Sequence, residues 1–422
     1  MNSDLVERIR EAVDRLAGET VERLQELVRI PSVTGDEHDV QVAIARQMSD
    51  LGLEIDQWEP DVDQLAAFAE DVGAFASLAG RPNVVGRWRG SGSGRSLILN
   101  AHIDTVEPGE REQWAVDPFG GEVIDGKLYG RGSCDMKAGL VAELIAVRAL
   151  QSLGIEPGGD VLVESVISEE DGGAGSLATI LRGYTADAAI ITEPTQTNVI
   201  TAHGGSLVFR LTISGRSAHA CVRNAGVSAI EKFVPIHQAL LDHEMQHHAS
   251  ITHPLFEAFS NRAPINIGVI HGGNWASSVP ESVVIEGRAG LVPGETLEQT
   301  RRELLAAIDQ VVQRDAWLRA HPPDIEWFSG QFTASETPVD SPIVKTIAGA
   351  HAAVTGAPPK IEAATYGADM RHFVNIGGIP CVMYGPGNVD RAHRPDEFVP
   401  LTEIAVVATA ISVACATWTL EP

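Results

Sequence analysis

The sequence contains little cysteine: there are four thiols in 422 residues, and no two of them form a CxxC pair. Scattered single cysteines are typical of reduced thiols and argue against a disulfide framework. The first fifteen residues are charged and amphipathic, without the apolar core of an export signal. No uninterrupted run of about 18 apolar residues, the length that a membrane-spanning helix needs, is apparent. These absences predict a cytoplasmic protein with no membrane partner.

Basic residues are scarce relative to acidic ones. The chain has 31 Lys and Arg against 57 Asp and Glu, a formal net charge of −26. Such a balance argues against nucleic acid or an anionic membrane as a partner. Most of the carboxylates are expected to lie on a solvated surface, although some could bind cations. A chain of this length exceeds what one core usually organises, so two domains are expected.

Short apolar strands alternate with helices along most of the chain. A helical pattern runs from Leu5 to Val28 and stops at Ile30-Pro31-Ser32, and a second helix is predicted over 38–51. Alternating strands and helices follow, which predicts an α/β fold with a mostly parallel sheet covered by helices. The segments concerned are 96–103, 138–153, 160–167, 176–181 and 186–191, then 341–355, 380–384 and 402–417.

The middle of the chain follows a different order. Its predicted elements form a β-α-β-β-α-β series, which is typical of a split ferredoxin-like unit. They cover 207–214, 227–244, 265–271, 282–289, 296–315 and 324–328. Because α/β signals flank this series, we predict that residues 206–330 form an α+β domain inserted into an α/β domain made of residues 1–205 and 331–422.

Five segments place acidic or imidazole side chains at or just after an apolar strand. In open α/β sheets, binding sites form beyond the carboxyl ends of the strands, so these loops are expected to converge on one crevice. Each piece alone could be an ordinary polar contact or a solvated turn, whereas five in one predicted sheet indicate a site. The side chains are His102 with Asp104, Asp135, Glu169 with Glu170, Glu193, and His393.

Two imidazoles and several carboxylates form a ligand set that suits Zn²⁺, Co²⁺ or Mn²⁺. A pair of metal ions about 3.5–4 Å apart needs a bridging ligand. One Asp as the bridge, with one His and one Glu for each ion, would fill such a site. Cys134 beside Asp135 is an alternative nucleophile, but a packed thiol is the simpler interpretation.

The motifs HxD, GRGSCDMKAG, SEEDGG, ITEPT, SGRSAHA and AHRPDEF occur in this order. The series resembles the family of acetylornithine deacetylase, succinyl-diaminopimelate desuccinylase, the aminoacylases and glutamate carboxypeptidase. The similarity covers nearly the whole chain and includes the inserted segment. RPNVVG, TYGADMRHF and YGPG are most similar to the broad deacetylase-like branch.

The resemblance implies a centre of two divalent ions, zinc first, with cobalt or manganese as alternatives. It implies that His102, Asp135 and Glu193 hold one ion, and that Asp135, Glu170 and His393 hold the other.

The same resemblance assigns three further features of the site. Asp104 would accept a hydrogen bond from the second ring nitrogen of His102 and fix its tautomer. Glu169 would be free of metal and act as the general base. The peptide bond between Asp135 and Met136 is expected to be cis.

The resemblance also implies a homodimer built through the inserted domain, in which His219 reaches the partner's site and stabilises an oxyanion. Unpaired sheet edges in that domain would be buried by pairing across a two-fold axis. The alternative is a monomer in which His219 caps a turn.

Two arginines are candidates for binding the substrate. Arg371 resembles the family arginine that pairs with a substrate carboxylate, a role that suits a guanidinium fork. Many relatives carry an arginine three residues before a Pro-Gly pair, where this chain has Gly290; Arg288 lies two residues earlier on the same strand face and could substitute. An asparagine frequent in relatives is Ser277 here. Both departures put the usual recognition of an α-carboxylate in doubt.

The leading hypothesis is hydrolysis of the amide bond of a small N-acyl amino acid or related compound. Alternatives are a dipeptidase or carboxypeptidase, and an aminohydrolase of an unusual, aromatic amine. Trp114, Phe119 or Trp275 could line a pocket for such an amine or belong to the core. A non-catalytic metal-binding protein on the same fold is the alternative from another class, and Glu169 argues against it.

Overall fold

A computed structural model describes residues 3–73, 75–92 and 94–420. The α-helices, in chain order, are α1 Ser3–Arg15, α2 Ala17–Arg29, α3 His38–Asp50, α4 Val62–Leu65, α5 Ala69–Val72, α6 Ala138–Ser152, α7 Ala174–Arg182, α8 Ala229–Ser250, α9 Leu297–Val312, α10 Ala316–Ala320, α11 Pro342–Thr355 and α12 Leu401–Trp418.

The β-strands, in chain order, are β1 Glu54–Trp58, β2 Asn83–Trp88, β3 Leu97–His102, β4 Glu122–Ile124, β5 Lys127–Tyr129, β6 Val161–Val166, β7 Ala188–Ile191, β8 Val199–His203, β9 Gly205–Ser214, β10 Ile265–Gly272, β11 Ser282–Leu291, β12 Asp324–Trp327, β13 Ser335–Glu336, β14 Ile361–Ala364, β15 Cys381–Met383 and β16 Phe398–Pro400. The strands β16, β5 and β4 form a small separate sheet.

The largest sheet has nine strands in the order β1-β2-β6-β3-β7-β15-β8-β13, with β14 also paired to β8. The four central strands, β6, β3, β7 and β15, run parallel to one another. Antiparallel pairings lie towards the two edges, where β1 pairs with β2, β2 with β6, and β8 with β15 and β13. The prediction of an α/β fold with a mostly parallel central sheet is confirmed. The central strands β3, β6 and β7 are buried at every residue and are mostly apolar, as expected of strands covered on both faces.

Helix α12 packs against α1, α6 and α11. It is 18 residues long and apolar enough to span a membrane, but 67% of it is buried inside the protein. The sequence predicted a helix over 402–417, and Thr, Ser and Glu residues interrupt its apolar run. Its burial identifies it as a core helix of the α/β part of the fold.

A second sheet has four antiparallel strands in the order β10-β11-β9-β12. Alternate residues of β9 are buried with α8 and α9 in a core of their own: Leu207, Phe209, Leu211 and Ile213. The chain order β9-α8-β10-β11-α9-β12 is the predicted split unit, with the short helix α10 added between α9 and β12. The domain boundaries at 206 and 330 stay a prediction.

Candidate metal centre

The candidate ligands lie at the carboxyl ends of neighbouring parallel strands. His102 is the last residue of β3, Glu169 and Glu170 follow β6, and Glu193 follows β7. His393 lies in the loop after β15. Since β6, β3, β7 and β15 are adjacent in the sheet, their loops meet at one edge.

Asp135 lies between the two histidines, with one carboxylate oxygen towards each. Its Oδ1 lies 3.1 Å from Nε2 of His102, and its Oδ2 lies 3.3 Å from Nε2 of His393. The peptide bond between Asp135 and Met136 is cis, as expected from the sequence. Glu397 supports the turn from behind, because its Oε1 accepts hydrogen bonds from the backbone N–H groups of Cys134 (2.8 Å) and Asp135 (3.0 Å).

The two glutamates complete the cluster, one beside each histidine. Oε1 of Glu170 lies 3.0 Å from Nε2 of His393, and Oε1 of Glu193 lies 3.9 Å from Nε2 of His102. His102, Asp135 and Glu170 offer ligand atoms that all lie within 4.8 Å of one another. The structure therefore brings together the five side chains for which the sequence predicted a ligand role.

The charges at this site are poorly balanced by the protein alone. Burial and the Asp135 carboxylate raise the pKa of Glu193 to about 8. Burial lowers the pKa of His102, but hydrogen bonds to Asp104 and Asp135 outweigh it, and the pKa is raised well above its usual value. In the described parts of the chain, no Lys or Arg forms an ion pair with Asp135, Glu170 or Glu193. Buried carboxylates without a permanent positive partner fit divalent cations, so the residues present suit the metal pair.

Asp104 is buried and contacts the glutamate loop as well as His102. Its Oδ1 and Oδ2 accept hydrogen bonds from the backbone N–H groups of Glu169 and Glu170, each at 3.1 Å. Nδ1 of His102 lies 3.0 Å from the backbone carbonyl oxygen of Asp104 and 3.6 Å from its Oδ1. The carbonyl is therefore the nearer acceptor for His102, whereas the carboxylate holds the loop, which the sequence did not indicate.

The Glu169 carboxylate forms no hydrogen bond with the described residues. Across the described segments, no group donates a hydrogen bond to it, although its neighbour Glu170 faces His393. Burial raises the pKa of Glu169 well above its usual value, and the nearby Asp369 carboxylate adds to the rise. A carboxylate that is close to the cluster but uncommitted is available to exchange a proton.

Three other predicted site residues lie outside this cluster. His219 is exposed, and its Nδ1 accepts a hydrogen bond from the backbone N–H of Cys221 at 3.1 Å. Arg288 is half-buried on β11, and its Nε is buried without a hydrogen-bond partner. Arg371 is 1% exposed, and its Nη2 donates to the carbonyl oxygen of Gly172 at 2.8 Å. Their roles towards substrate stay predictions.

Gly290 permits a close approach of two backbone segments. A Cβ at this position would lie 2.9 Å from the backbone of Ala263 and 3.1 Å from the nitrogen of Pro264. The N–H of Gly290 also donates to the carbonyl of Pro264 at 2.9 Å. The arginine that the family resemblance suggested for this position would not fit without a shift of this backbone.

The remaining candidates from the sequence have separate environments. Cys134 is fully buried, and burial raises the pKa of its thiol well above the usual value, which disfavours a nucleophilic thiolate and agrees with a packed thiol. Trp114 is 4% exposed and its ring N–H donates to the carbonyl of Pro108 at 2.8 Å, as in a core. Phe119 is half-buried, and Trp275 is 72% exposed.

Sequence reasoning missed two residues that support the centre. Arg131 and Glu397 form a buried ion pair behind Asp135, with both side chains at most 2% exposed. Both residues stand inside quoted motifs, GRGSCDMKAG and AHRPDEF. Their place beside the ligands Asp135 and His393 in these motifs was the signal that could have identified them as supporting residues.

A family model described as "Peptidase family M20/M25/M40" matches residues 98–418, which is most of the chain. The chain belongs to this peptidase family. It is therefore a metal-dependent hydrolase of amide bonds, and the resemblance inferred from the motifs is confirmed. One solved structure of similar fold, from Bacillus subtilis, is described as a dinuclear metal-binding peptidase of the M20 family.

Its relatives carry out several amide hydrolyses. The N-formyl-4-amino-5-aminomethyl-2-methylpyrimidine deformylase of Bacillus subtilis (strain 168) is 32% identical over 387 residues, covering 86% of this chain and 85% of the relative. The protein with the same name from Halalkalibacterium halodurans is 30% identical, covering 95% and 94%. Acetylornithine deacetylase of Photorhabdus laumondii is 27% identical, covering 88% and 94%.

Solved structures of two peptidases share the fold. A tripeptidase from Staphylococcus aureus has a TM-score of 0.74 at 21% identity, covering 96% of this chain and 99% of that one. A di-peptidase from Saccharomyces cerevisiae has a TM-score of 0.78 at 15% identity and covers all of both chains.

Proposed function

We propose that this M20 hydrolase removes a small acyl group from a nitrogen of a small molecule, with Glu169 as the general base. The observation that carries the proposal is the arrangement around Asp135. Two histidines face its two oxygens, a glutamate lies beside each histidine, and the Glu169 carboxylate accepts no hydrogen bond from any residue that the structure describes.

We assign one ion to His102, Asp135 and Glu193, and the other to Asp135, Glu170 and His393. The nitrogen and oxygen donors favour zinc, with cobalt or manganese also compatible. When bound, such ions supply Lewis-acid polarisation of a carbonyl and lower the pKa of water.

Glu169 then has a defined task in the reaction. Its carboxylate accepts a proton from the attacking water and returns that proton to the leaving amine nitrogen as the C–N bond breaks. The backbone N–H of Glu169 is held by Asp104, so the residue is anchored while its carboxylate stays uncommitted. A protein that only bound metal would have no use for this free carboxylate.

For the substrate, the N-acyl amino acid remains one candidate class and the formamide of a heteroaromatic amine is the second. The second is favoured by relatives at 32% and 30% identity that bear the name of a pyrimidine deformylase. Two positions also favour the formamide. Gly290 has no side chain to bind an α-carboxylate, and the guanidinium of Arg371 is buried away from solvent. Dipeptides and C-terminal peptide bonds are less favoured for the same reason.

A substrate panel tests this proposal. Purified protein loaded with Zn²⁺, Co²⁺ or Mn²⁺ would be assayed on N-formyl and N-acetyl forms of an aminomethylpyrimidine, of several amino acids, and on dipeptides. We expect hydrolysis of at least one acyl amine, with the formamide of the heteroaromatic amine ahead of dipeptides in kcat/KM. Stoichiometric metal binding without hydrolysis of any of these compounds would contradict the proposal.

We further propose that the protein is a homodimer through the four-stranded unit. Strand β10 is at the edge of its sheet, and Ile270 on it is 55% exposed. Helix α8 beside it exposes apolar side chains along its length: Ile230, Val234, Leu241 and Met245. A second copy related by a two-fold axis would cover both features, and His219 would then act on the partner's site.

A further inference from the structure

The loop that carries the general base, residues 168–173, rests directly on the segment that contains Asp369 and His372. Gly173 has a φ of +75°. A Cβ at Gly173 would lie 2.1 Å from Oδ1 of Asp369 and 2.6 Å from Nε2 of His372. Both of those side chains are buried. The contacts of Gly173 with Asp369 and His372 therefore fix the position of this loop four residues after Glu169.

Arg371, between these two residues, ties the loop to other parts of the chain. Its Nη2 donates to the carbonyl oxygens of Gly172 (2.8 Å) and Asp71 (3.4 Å), and its Nη1 to that of Ala368 (3.3 Å). Its guanidinium carbon lies 3.9 Å from the centre of the Phe332 ring. One side chain that is 1% exposed thus joins the loop to α5 and to the connection that follows β12.

Helix α5 also packs closely against the same loop. A Cβ at Gly172 would lie 2.3 Å from the carbonyl oxygen of Val72. The backbone N–H of Ala76 donates to Oδ2 of Asp171 at 2.9 Å. The carbonyls of α5 and of the loop therefore lie side by side, and the Arg371 guanidinium is the group that bonds to both.

We infer that Arg371 is a positioning residue: its hydrogen bond to the Gly172 carbonyl holds the 168–173 loop so that Glu169 stays aligned with the reacting water. The inference rests on the proposed function, because it takes Glu169 as the base. It assigns Arg371 a different role from the binding of a substrate carboxylate that the family resemblance implied.

The geometry favours this role over contact with substrate. A bidentate ion pair with a carboxylate uses two parallel N–H groups of the guanidinium. Both terminal nitrogens of Arg371 already donate to carbonyl oxygens, and the Phe332 ring covers one face. Only Nε lacks a hydrogen-bond partner in the described chain, and it is buried. Turning the guanidinium towards a substrate would break its hydrogen bond to the Gly172 carbonyl.

The test compares Arg371→Ala and Arg371→Lys with Tyr384→Phe, a control that removes another buried hydrogen bond, from Tyr384 to His351. Each variant is assayed on two amides with the same acyl group, one with and one without a carboxylate on the amine part. Hydrogen–deuterium exchange of the peptide covering 166–176 is measured in parallel. Low concentrations of guanidinium are added to Arg371→Ala to refill the vacated space.

We expect Arg371→Ala to lower kcat by about 10²-fold on both amides, the scale of a misplaced catalytic group, with KM changed less than about threefold. Exchange in 166–176 accelerates, guanidinium restores part of kcat, and Arg371→Lys is intermediate. Tyr384→Phe lowers only the melting temperature. If Arg371→Ala does not fold, Arg371→Lys decides by the same kcat and exchange readouts.

Two results would overturn the inference. One is a rise in KM confined to the carboxylate-bearing amide with unchanged exchange, which means that Arg371 binds substrate. The other is a loss of melting temperature alone, as in the control, which means that Arg371 is only structural. If the unmodified protein cleaves neither amide, the proposed function fails, while the exchange of 166–176 still decides the role of Arg371.

Discussion

Oδ1 of Asp104 accepts a hydrogen bond from the backbone N–H of Glu169 at 3.1 Å, and the other carboxylate oxygen does the same for the next residue. Asp104, two residues after the first histidine ligand, thereby fixes the loop that carries the base. In Asp104→Asn, one oxygen becomes an NH₂ group that faces an N–H donor. We expect kcat to fall by about 10–100-fold, the scale seen for residues that support metal ligands.

Asp160→Asn is the matched control for this variant, since Asp160 also accepts a backbone N–H, that of Gly90 at 2.9 Å, away from the metal centre. Steady-state kinetics of both variants decide the question. Equal, small effects of the two substitutions would show that the Asp104 carboxylate has no special role.

Removal of metal should abolish activity. A chelator is expected to stop hydrolysis, and Zn²⁺, Co²⁺ or Mn²⁺ should restore it, because the ligands converge without another positive partner. His393→Ala is expected to bind about one ion fewer per chain, measured by elemental analysis after dialysis. His247→Ala, which removes an ion pair with Glu295 on the helical side of the four-stranded sheet, is the control and should keep its metal. An unchanged metal content in His393→Ala would remove this residue from the centre.

The ion pair behind Asp135 should contribute strongly to stability. Arg131→Met leaves the Glu397 carboxylate buried without its charge partner, and breaking a buried pair costs about 3–5 kcal/mol. Arg302→Ala, which breaks an exposed pair with Glu298, should cost at most about 0.5 kcal/mol. Denaturant unfolding of both variants measures the difference. A loss below about 1 kcal/mol in Arg131→Met would mean that Glu397 becomes neutral or finds another partner.

Subunit mixing tests the action of His219 across a dimer. His219→Ala and Glu169→Gln homodimers should each be nearly inactive. A heterodimer of the two variants combines one intact Glu169 with one intact His219 at the same site, and is expected to recover up to about half of the normal activity. Heterodimers that form, as shown by differential tags, but stay inactive would place His219 in its own subunit's site or outside catalysis.

The central strands and the ligands were predictable from the sequence for a shared reason. Strands such as β3 and β6 are buried along their full length, so they appear as apolar runs, and the ligands stand at or just beyond their ends. Strand β4 was missed because it has only three residues, all of them exposed, which is too short for a recognisable pattern. The opening helical pattern is two helices, α1 and α2, which meet at Leu16; the apolar spacing continues across the junction, and Gly18 was not recognised as a sign of the break.

The supporting contacts were not predictable from local patterns. Arg371 contacts Asp71, Gly172 and Phe332, which are far apart in the sequence and come together only through tertiary packing. The preference of His102 for the carbonyl of Asp104 also depends on the local backbone path. Motifs thus indicated which residues form the centre, whereas packing determines what holds them there.

The most direct test of the account compares Glu169→Gln with Glu170→Gln, two isosteric changes at adjacent positions. Metal content and kcat are measured on both, using the best substrate of the panel. We predict that Glu169→Gln keeps its full metal content while kcat falls by about 10²-fold or more, the scale of a lost general base. Glu170→Gln should lose metal, because its carboxylate lies beside His393 in the cluster. Loss of metal in Glu169→Gln, with full metal and normal kcat in Glu170→Gln, would contradict the assignment of the base.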